Sequence, residues 1–158
     1  MKKVGWKLYA IWILAVEAVG ALSGWLTRKG AQLYAETIQK PPLSPPGAVF
    51  PVVWGILFVL MGSGAAGIYS APASRSRTMS LGIFALQLMF NFFWSIIFFN
   101  LQWFGLALLW LIVLWGLIIW MILSFRKIDP VAAWLQVPYL LWVTFAAYLN
   151  AGVWLLNR

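Results

Sequence analysis

Hydrophobic residues occur along this chain in runs long enough to cross a lipid bilayer, separated by short polar segments. The longest uncharged run covers residues 78–125. As a single helix it would extend about 70 Å at about 1.5 Å per residue, more than twice the thickness of a bilayer core. The run therefore predicts two membrane spans, and the polar residues 100–102 (NLQ) mark the turn between them.

The remaining apolar runs divide in the same way. The segment between Lys7 and Arg28 is interrupted only by Glu17, and Asp129-Pro130 has the form of an N-cap followed by a first-turn proline. The predicted spans are 7–27, 50–70, 79–100, 103–125 and 130–156. The expected fold is all-α, an integral membrane five-transmembrane-helix bundle that forms a single domain over residues 1–158.

A proline-rich segment lies in the predicted loop 28–49 and runs into the second span. Residues 40–54 (KPPLSPPGAVFPVVW) hold five of the eight prolines. Because proline fixes φ and pushes the preceding residue toward extended geometry, we predict an ordered extended loop that enters the helix near Pro51. Two interpretations stay open: the loop is a lid over a ligand site, or it is a rigid connector.

Polar and aromatic residues recur at helical spacing on three of the spans. In the third span Gln87, Asn91 and Ser95 share one stripe, with Trp94 beside it. The second and fifth spans carry similar stripes, namely Pro51, Trp54, Gly55 and Phe58, and Pro138, Trp142, Ala146 and Asn150, bordered by Phe145 and Leu149. Amides are costly in hydrocarbon, so these faces point inward. They predict an apolar ligand pocket with few polar anchors, in which Phe58 and Gln87 are also candidate contacts. The alternative is that they only hold helices together.

Composition supports the membrane assignment and narrows the chemistry. The chain has 158 residues, of which 64% are hydrophobic and 9% charged, whereas soluble domains carry about 25% charged residues. Cysteine and histidine are absent, so we expect no disulfide, no metal site and no conventional acid–base catalysis. The net charge of +8 is spread between apolar segments. It indicates membrane topology and contact with anionic lipid rather than nucleic acid.

The basic residues also predict an orientation. With five spans, seven of them fall on one side (Lys2, Lys3, Lys7, Arg75, Arg77, Arg126 and Lys127) and four on the other (Arg28, Lys29, Lys40 and Arg158). This bias places the N-terminus in the cytoplasm and the proline-rich loop outside. The first apolar segment does not resemble a cleavable signal, and the chain fits a bacterial cytoplasmic membrane.

Several intramembrane residues carry two interpretations each. Glu17 is a functional-site candidate because carboxylates in membranes are costly, but the favoured interpretation is a protonated side chain bonded to a neighbouring helix. Gly20 and Gly24, and the small residues 62–67 (GSGAAG), are suited to close packing within the bundle or in a dimer. Tryptophans at the span ends, such as Trp6, Trp25 and Trp103, are typical of an interfacial belt.

Three motifs resemble those of the translocator protein (TspO/MBR) family, also called tryptophan-rich sensory proteins or peripheral-type benzodiazepine receptors. They are Tyr34 with residues 40–54, residues 87–95 (QLMFNFFWS) and residues 138–150 (PYLLWVTFAAYLN). The chain is identified as a bacterial-type member. The resemblance implies a five-helix bundle, often dimeric, in which the first loop closes a pocket for protoporphyrin IX, heme or related hydrophobic ligands. No cofactor is implied beyond such a ligand.

The resemblance also assigns residues. Bacterial relatives are reported to promote light-dependent breakdown of protoporphyrin IX, which depends on pocket tryptophans, here Trp54 and Trp142. The other residues that match pocket positions are Tyr34, Pro45, Asn91, Trp94, Ser95, Ala146 and Leu149.

Two features depart from the family pattern. Many relatives carry an acidic residue in the fourth helix, where this chain has Trp110, and the first basic residue after Tyr148 is Arg158, too distant for the animal sterol motif.

Three functions follow from these observations. The leading hypothesis is a tetrapyrrole receptor, with a role in stress or tetrapyrrole sensing. The alternatives are a photo-oxidative enzyme that uses Trp54 and Trp142, and a transporter of porphyrin or lipid. The transporter is disfavoured because the chain has no internal repeat and one intramembrane ionisable group.

Overall fold

The computed structural model of the protein describes residues 5–158 and consists of helices joined by short connections. Its elements are α1 (Trp6–Leu26), α2 (Arg28–Thr37), α3 (Val49–Tyr69), α4 (Arg75–Ser95), a π-helical turn (Ile96–Asn100), α5 (Phe104–Arg126), α6 (Pro130–Trp134) and α7 (Val137–Leu156). Within the described range, five helical spans are long and apolar enough to cross a membrane. The predicted five-helix membrane bundle is confirmed. Lys2 and Lys3, which entered the orientation argument, lie outside the described residues.

The first loop contains a helix that was not predicted from the sequence. Residues 28–37 form α2, whereas the whole of 28–49 was predicted to be a loop. The segment has no proline, and Gln32 donates to Glu36 one turn later, with Nε2 and Oε1 3.3 Å apart. Extended geometry begins at Ile38, so the prediction of an extended loop holds only for the proline-rich part.

The fifth span is a broken helix. Asp129 caps α6 as predicted, since its Oδ1 accepts a hydrogen bond from the backbone N–H of Val131 at 3.0 Å. The helix stops at Trp134 and a new one begins at Val137. Pro138 explains the break, because its ring clashes with the carbonyl four residues back, at Trp134, and it has no N–H to donate.

The helices form a ring around a core that fills half of the bundle. α1 packs on α3, α3 on α6 and α7, α7 on α5, α5 on α4, and α4 on α1. The fully buried core side chains lie toward the end of the bundle where α3 meets α4, among them Met61, Ile68, Ile118, Met121 and Phe125. The other half of the ring, next to α2, holds a cavity.

Small residues bring α3 close to its neighbours. A Cβ atom added at Gly62 would lie 2.6 Å from Cα of Ile13 in α1, and one at Gly67 would lie 2.9 Å from Oδ2 of Asp129. Gly20 in α1 packs against the ring of Phe58, whereas Gly24 has no neighbour within 4 Å. The glycines predicted to allow close packing therefore do so within the bundle, except Gly24, which lines the cavity.

Candidate functional site

A cavity of about 510 Å³ occupies the half of the bundle that faces α2. Its wall is formed by α1, α3, α4, the π-helical turn and α7, and its cover by α2 and the proline-rich segment. We call residues 38–48 the lid, since four of them line the cavity, namely Lys40, Ser44, Pro45 and Gly47. The volume is typical of small-molecule sites, which span about 300–1,000 Å³.

Ten of the eleven residues predicted to contact a ligand line this cavity. They are Tyr34, Pro45, Trp54, Phe58, Asn91, Trp94, Ser95, Trp142, Ala146 and Leu149. The geometry favours the lid interpretation of the proline-rich loop over the connector interpretation, because the loop covers a cavity on which these residues converge.

Gln87 is the exception, and its placement among the ligand contacts is corrected. Its side chain is fully buried and does not line the cavity. Gln87 lies one helical turn before Asn91 along α4, below the end of the cavity, where the hydrophobic core begins. Its amide oxygen accepts a hydrogen bond from the hydroxyl of Tyr139 at 2.8 Å. Gln87 therefore acts on the site indirectly, through the hydroxyl of Tyr139.

Two tryptophans from different helices give the cavity an aromatic wall. Trp54 of α3 stacks on Phe58, with ring centroids 5.5 Å apart, and Trp142 of α7 meets Phe50 edge-on at 5.9 Å. Both side chains are partly exposed to the cavity. Trp94 is held differently, because its indole N–H donates to Oδ1 of Asn150 at 3.1 Å. The site thus offers large planar surfaces held by edge and stacking contacts.

A chain of hydrogen bonds fixes the amide of Asn91. Tyr139, fully buried, has one hydroxyl proton, which it donates to Gln87. Its oxygen accepts from Nδ2 of Asn91 at 2.7 Å. This assignment follows from the network, since amide nitrogen and oxygen are distinguished by their partners. Asn91 therefore directs its carbonyl oxygen, an acceptor, toward the cavity.

The lid is fastened to α7 by three sets of contacts. The hydroxyl of Tyr148 donates to the Pro42 carbonyl at 2.7 Å. Asn157 forms two hydrogen bonds with the backbone of Gln39, at 3.0 and 2.7 Å. Pro41 is buried beside Gly152, where an added Cβ would lie 2.6 Å from its Cγ. The lid is thus held in a defined position over the cavity.

Tyr34 and Lys40 form the mouth of the cavity. The Tyr34 ring lies against Phe98 and Phe99, with centroids 5.3 and 5.4 Å away. Burial raises the pKa of the Tyr34 phenol, so its hydroxyl stays protonated at neutral pH. Nζ of Lys40 lies 4.9 Å from the centre of this ring and donates to the carbonyls of Ala35 and Ile38, both at 3.1 Å. The cation thereby ties the lid to the end of α2.

Glu17 lies on the cavity wall, and the hydrogen bond to a neighbouring helix that was expected for it is not formed within the described part of the chain. Among residues 5–158 no hydrogen bond joins its carboxyl group to a neighbouring helix, and Oε1 is buried without a partner. The side chain lines the cavity instead.

Several lining residues from the segment of α1 and α2 and from the π-helical turn were not predicted from the sequence. They include Ser23, Thr27, Ala31, Phe98 and Phe99. Small residues and phenylalanines are common in any membrane helix, so these residue types did not indicate which positions line a cavity. Asn150 also lines the cavity, and its place on the stripe of the fifth span indicated it.

Comparison with known proteins places the chain among membrane proteins of one family. Residues 12–155 match the TspO/MBR family. The chain is 38% identical to the tryptophan-rich protein TspO of Chlorobaculum tepidum over 141 residues, which cover 89% of each protein. It is 33% identical to protein CrtK of Rhodobacter capsulatus, over 95% of the chain and 92% of that protein. It is also 33% identical to the translocator protein of Ovis aries, over 94% and 90%.

Proposed function

The chain belongs to the TspO/MBR family of integral membrane proteins, and we propose that it is a membrane receptor for tetrapyrroles such as protoporphyrin IX or heme. The ligand would occupy the cavity beneath the lid. The observation that carries the proposal is the convergence of Trp54 and Trp142, from separate helices, on one covered cavity of about 510 Å³. The homodimer implied by the family resemblance belongs to the same proposal.

The shape and chemistry of the cavity suit a flat conjugated ligand. Trp54 and Trp142 present aromatic surfaces, and stacking contacts of this kind contribute about 0.5–1.5 kcal/mol per pair beyond the burial of apolar area. The carbonyl of Asn91 and the hydroxyl of Tyr34 supply the few polar contacts that fix orientation in apolar sites. A tetrapyrrole combines a large π surface with polar groups at its edge and its centre.

Lys40 provides a cation where the acidic edge of such a ligand would emerge. Its ammonium group has three N–H donors, two of which are directed to the carbonyls of Ala35 and Ile38. One donor is left for a carboxylate at the mouth of the cavity. We expect the propionates of a tetrapyrrole to face the lid.

The first prediction tests the aromatic wall. Replacing Trp54 and Trp142 together by phenylalanine should weaken binding of protoporphyrin IX about tenfold, because two smaller rings lose about 1.4 kcal/mol of contact with the macrocycle. The measurement is a titration of purified protein in the dark, followed by the porphyrin Soret band, so that photobleaching cannot imitate binding.

The matched control replaces two tryptophans outside the cavity, Trp120 and Trp134, which are 50% and 73% exposed. Affinity should then stay at the wild-type value. Equal affinity of the wild type and the Trp54→Phe, Trp142→Phe protein would remove the basis for placing the ligand in this cavity.

A second prediction concerns orientation in a bacterial cytoplasmic membrane. The chain has no cysteine, so single cysteines can be labelled without background. A cysteine at Gln32 in α2 should react with an impermeant maleimide in intact cells, whereas one at Ser76, at the opposite end of the bundle, should react only after permeabilisation. The reverse pattern would overturn the cytoplasmic placement of the N-terminus.

A further inference from the structure

The end of the cavity farthest from the lid is its floor, and it carries a carboxyl group. Three helices each contribute one lining residue that is the most distant from the lid on that helix. These residues are Glu17 on α1, Phe58 on α3 and Asn91 on α4. Thr27, the residue that directly follows α1, lines the cavity at the end of this helix nearest the lid. Glu17 lies ten positions before Thr27, which corresponds to about 15 Å of helix. Glu17 therefore lies deep inside the membrane-spanning part of the protein.

The polar groups at the floor are hydrogen-bond acceptors. Oε1 of Glu17 is buried and has no partner among residues 5–158. Asn91 has its amide nitrogen committed to Tyr139, so its carbonyl oxygen is the atom left for the cavity. Glu17 lies deeper than Asn91, because Oγ of Ser23, six residues after Glu17, donates to the carbonyl of Phe92, the residue after Asn91, at 3.3 Å. The buried oxygen of Glu17 therefore has an unmet need for a donor at the inner end of the cavity, since leaving a buried polar group unpaired is costly.

We propose that Glu17 binds a cationic nitrogen at the inner end of the ligand, with the carbonyl of Asn91 as a second acceptor nearer the lid, so that the cavity takes amphipathic molecules with a protonated amine or a similar N–H group directed inward. The inference rests on the proposed function in one respect, that ligands occupy this cavity. It adds the orientation of the ligand in the cavity. A hydrogen-bond donor of the ligand would point toward the floor, and any acidic group would point toward Lys40 at the mouth. A protonated amine would give Glu17 a charge-assisted partner of the kind that stabilises an ionised carboxylate.

The net charge of the protein opposes the binding of cations, so a measured preference for a cation would point to a local acidic group. The net charge of the chain is +8, and such a field repels cations. Among the lining residues the ionisable side chains are Glu17, Tyr34 and Lys40. Glu17 is the acidic side chain among them, so we expect the preference for a cation to depend on its carboxylate.

The test compares two probes that differ in one group, 1-pyrenemethylamine and 1-pyrenemethanol. Binding to purified protein in a non-ionic maltoside detergent is followed by energy transfer from tryptophan to pyrene. The wild type should bind the amine at least about tenfold more tightly than the alcohol, a ratio that corresponds to about 1.4 kcal/mol. In the Glu17→Gln protein the amine should bind about as weakly as the alcohol, whose own affinity should not change.

The chain offers a matched control for the loss of one carboxylate. Glu36 lies on α2 outside the cavity, is exposed, and bonds only to Gln32 among the described residues. Glu36→Gln makes the same change in net charge and should keep the tenfold preference. Glu17→Asp keeps the charge but shortens the side chain by one methylene, so an intermediate preference is expected.

Equal preference for the amine in the wild type and in Glu17→Gln would overturn the inference, and so would failure of both probes to bind. Its failure is separable from that of the proposed function. If binding of protoporphyrin IX depends on Trp54 and Trp142 but the preference for the amine does not depend on Glu17, the receptor proposal is retained and the role of Glu17 is rejected. If the preference for the amine depends on Glu17 but protoporphyrin IX does not bind, the role of Glu17 is retained and the tetrapyrrole proposal is rejected.

Discussion

Replacing Gly62 with leucine is expected to lower the free energy of unfolding by about 3 kcal/mol, the upper end of the usual cost of overpacking. A Cβ at this position would lie 2.6 Å from Cα and 2.9 Å from the backbone nitrogen of Ile13. Backbone atoms of a neighbouring helix cannot rotate away as a side chain can, so α1 must separate from α3. The measurement is helix loss by circular dichroism as the fraction of SDS in maltoside micelles is raised.

Gly116 provides the control for this substitution. It lies mid-helix in α5, is exposed, and has no neighbouring atom within 4 Å of an added Cβ. Gly116→Leu should leave stability unchanged or raise it slightly, because leucine has a higher helix propensity than glycine by about 0.8 kcal/mol. If Gly62→Leu unfolded at the same SDS fraction as Gly116→Leu, the close contact of α1 with α3 would be contradicted.

The effect should extend to the cavity. α1 supplies Glu17 and the lining residues that follow it, and Gly20 packs against Phe58 on the same interface. Separation of α1 from α3 at Gly62 would therefore widen the cavity floor as well as destabilise the bundle. We expect ligand affinity in the folded fraction of Gly62→Leu to fall together with stability.

The membrane spans could be predicted because bilayer thickness and the absence of charge are simple constraints. Residues 78–125 had to form two helices, and the predicted turn at 100–102 begins at the last residue of the π-helical turn and ends before α5. The helix α2 escaped prediction because it is short and polar, so bilayer thickness places no constraint on it. The break before Val137 required knowing that Pro138 would interrupt a span that hydropathy alone makes continuous.

The candidate site could be predicted in part because unusual residues occur at helical spacing. Asn91, Ser95, Trp54 and Trp142 stand out from an apolar background, and the structure places all four on the cavity. Gln87 has the same spacing as Asn91, so sequence periodicity could not separate them. What separates them is depth, since the core fills the space beside Gln87, and depth depends on how the helices pack.

Replacing Tyr139 with phenylalanine is expected to cost about 3 kcal/mol of stability, although it removes a single oxygen atom. The hydroxyl joins two buried amides, accepting from Asn91 at 2.7 Å and donating to Gln87 at 2.8 Å. Each buried polar group left without a partner costs about 1–3 kcal/mol. The same SDS titration measures the loss. Tyr148→Phe, which removes an exposed hydroxyl bonded to Pro42, is the matched control and should cost little.

The physical cause can be isolated by removing the amides as well. A protein with Gln87→Leu, Asn91→Leu and Tyr139→Phe has no polar group left unpaired in this network, so it should regain most of the lost stability, because apolar replacement of all partners is nearly neutral. Tyr139→Phe alone also frees the Asn91 amide to rotate and present a donor to the cavity floor, which should weaken binding of 1-pyrenemethylamine relative to 1-pyrenemethanol. Stability of Tyr139→Phe within about 0.5 kcal/mol of the wild type, the range of an ordinary surface change, would contradict the network and with it the fixed polarity of the floor.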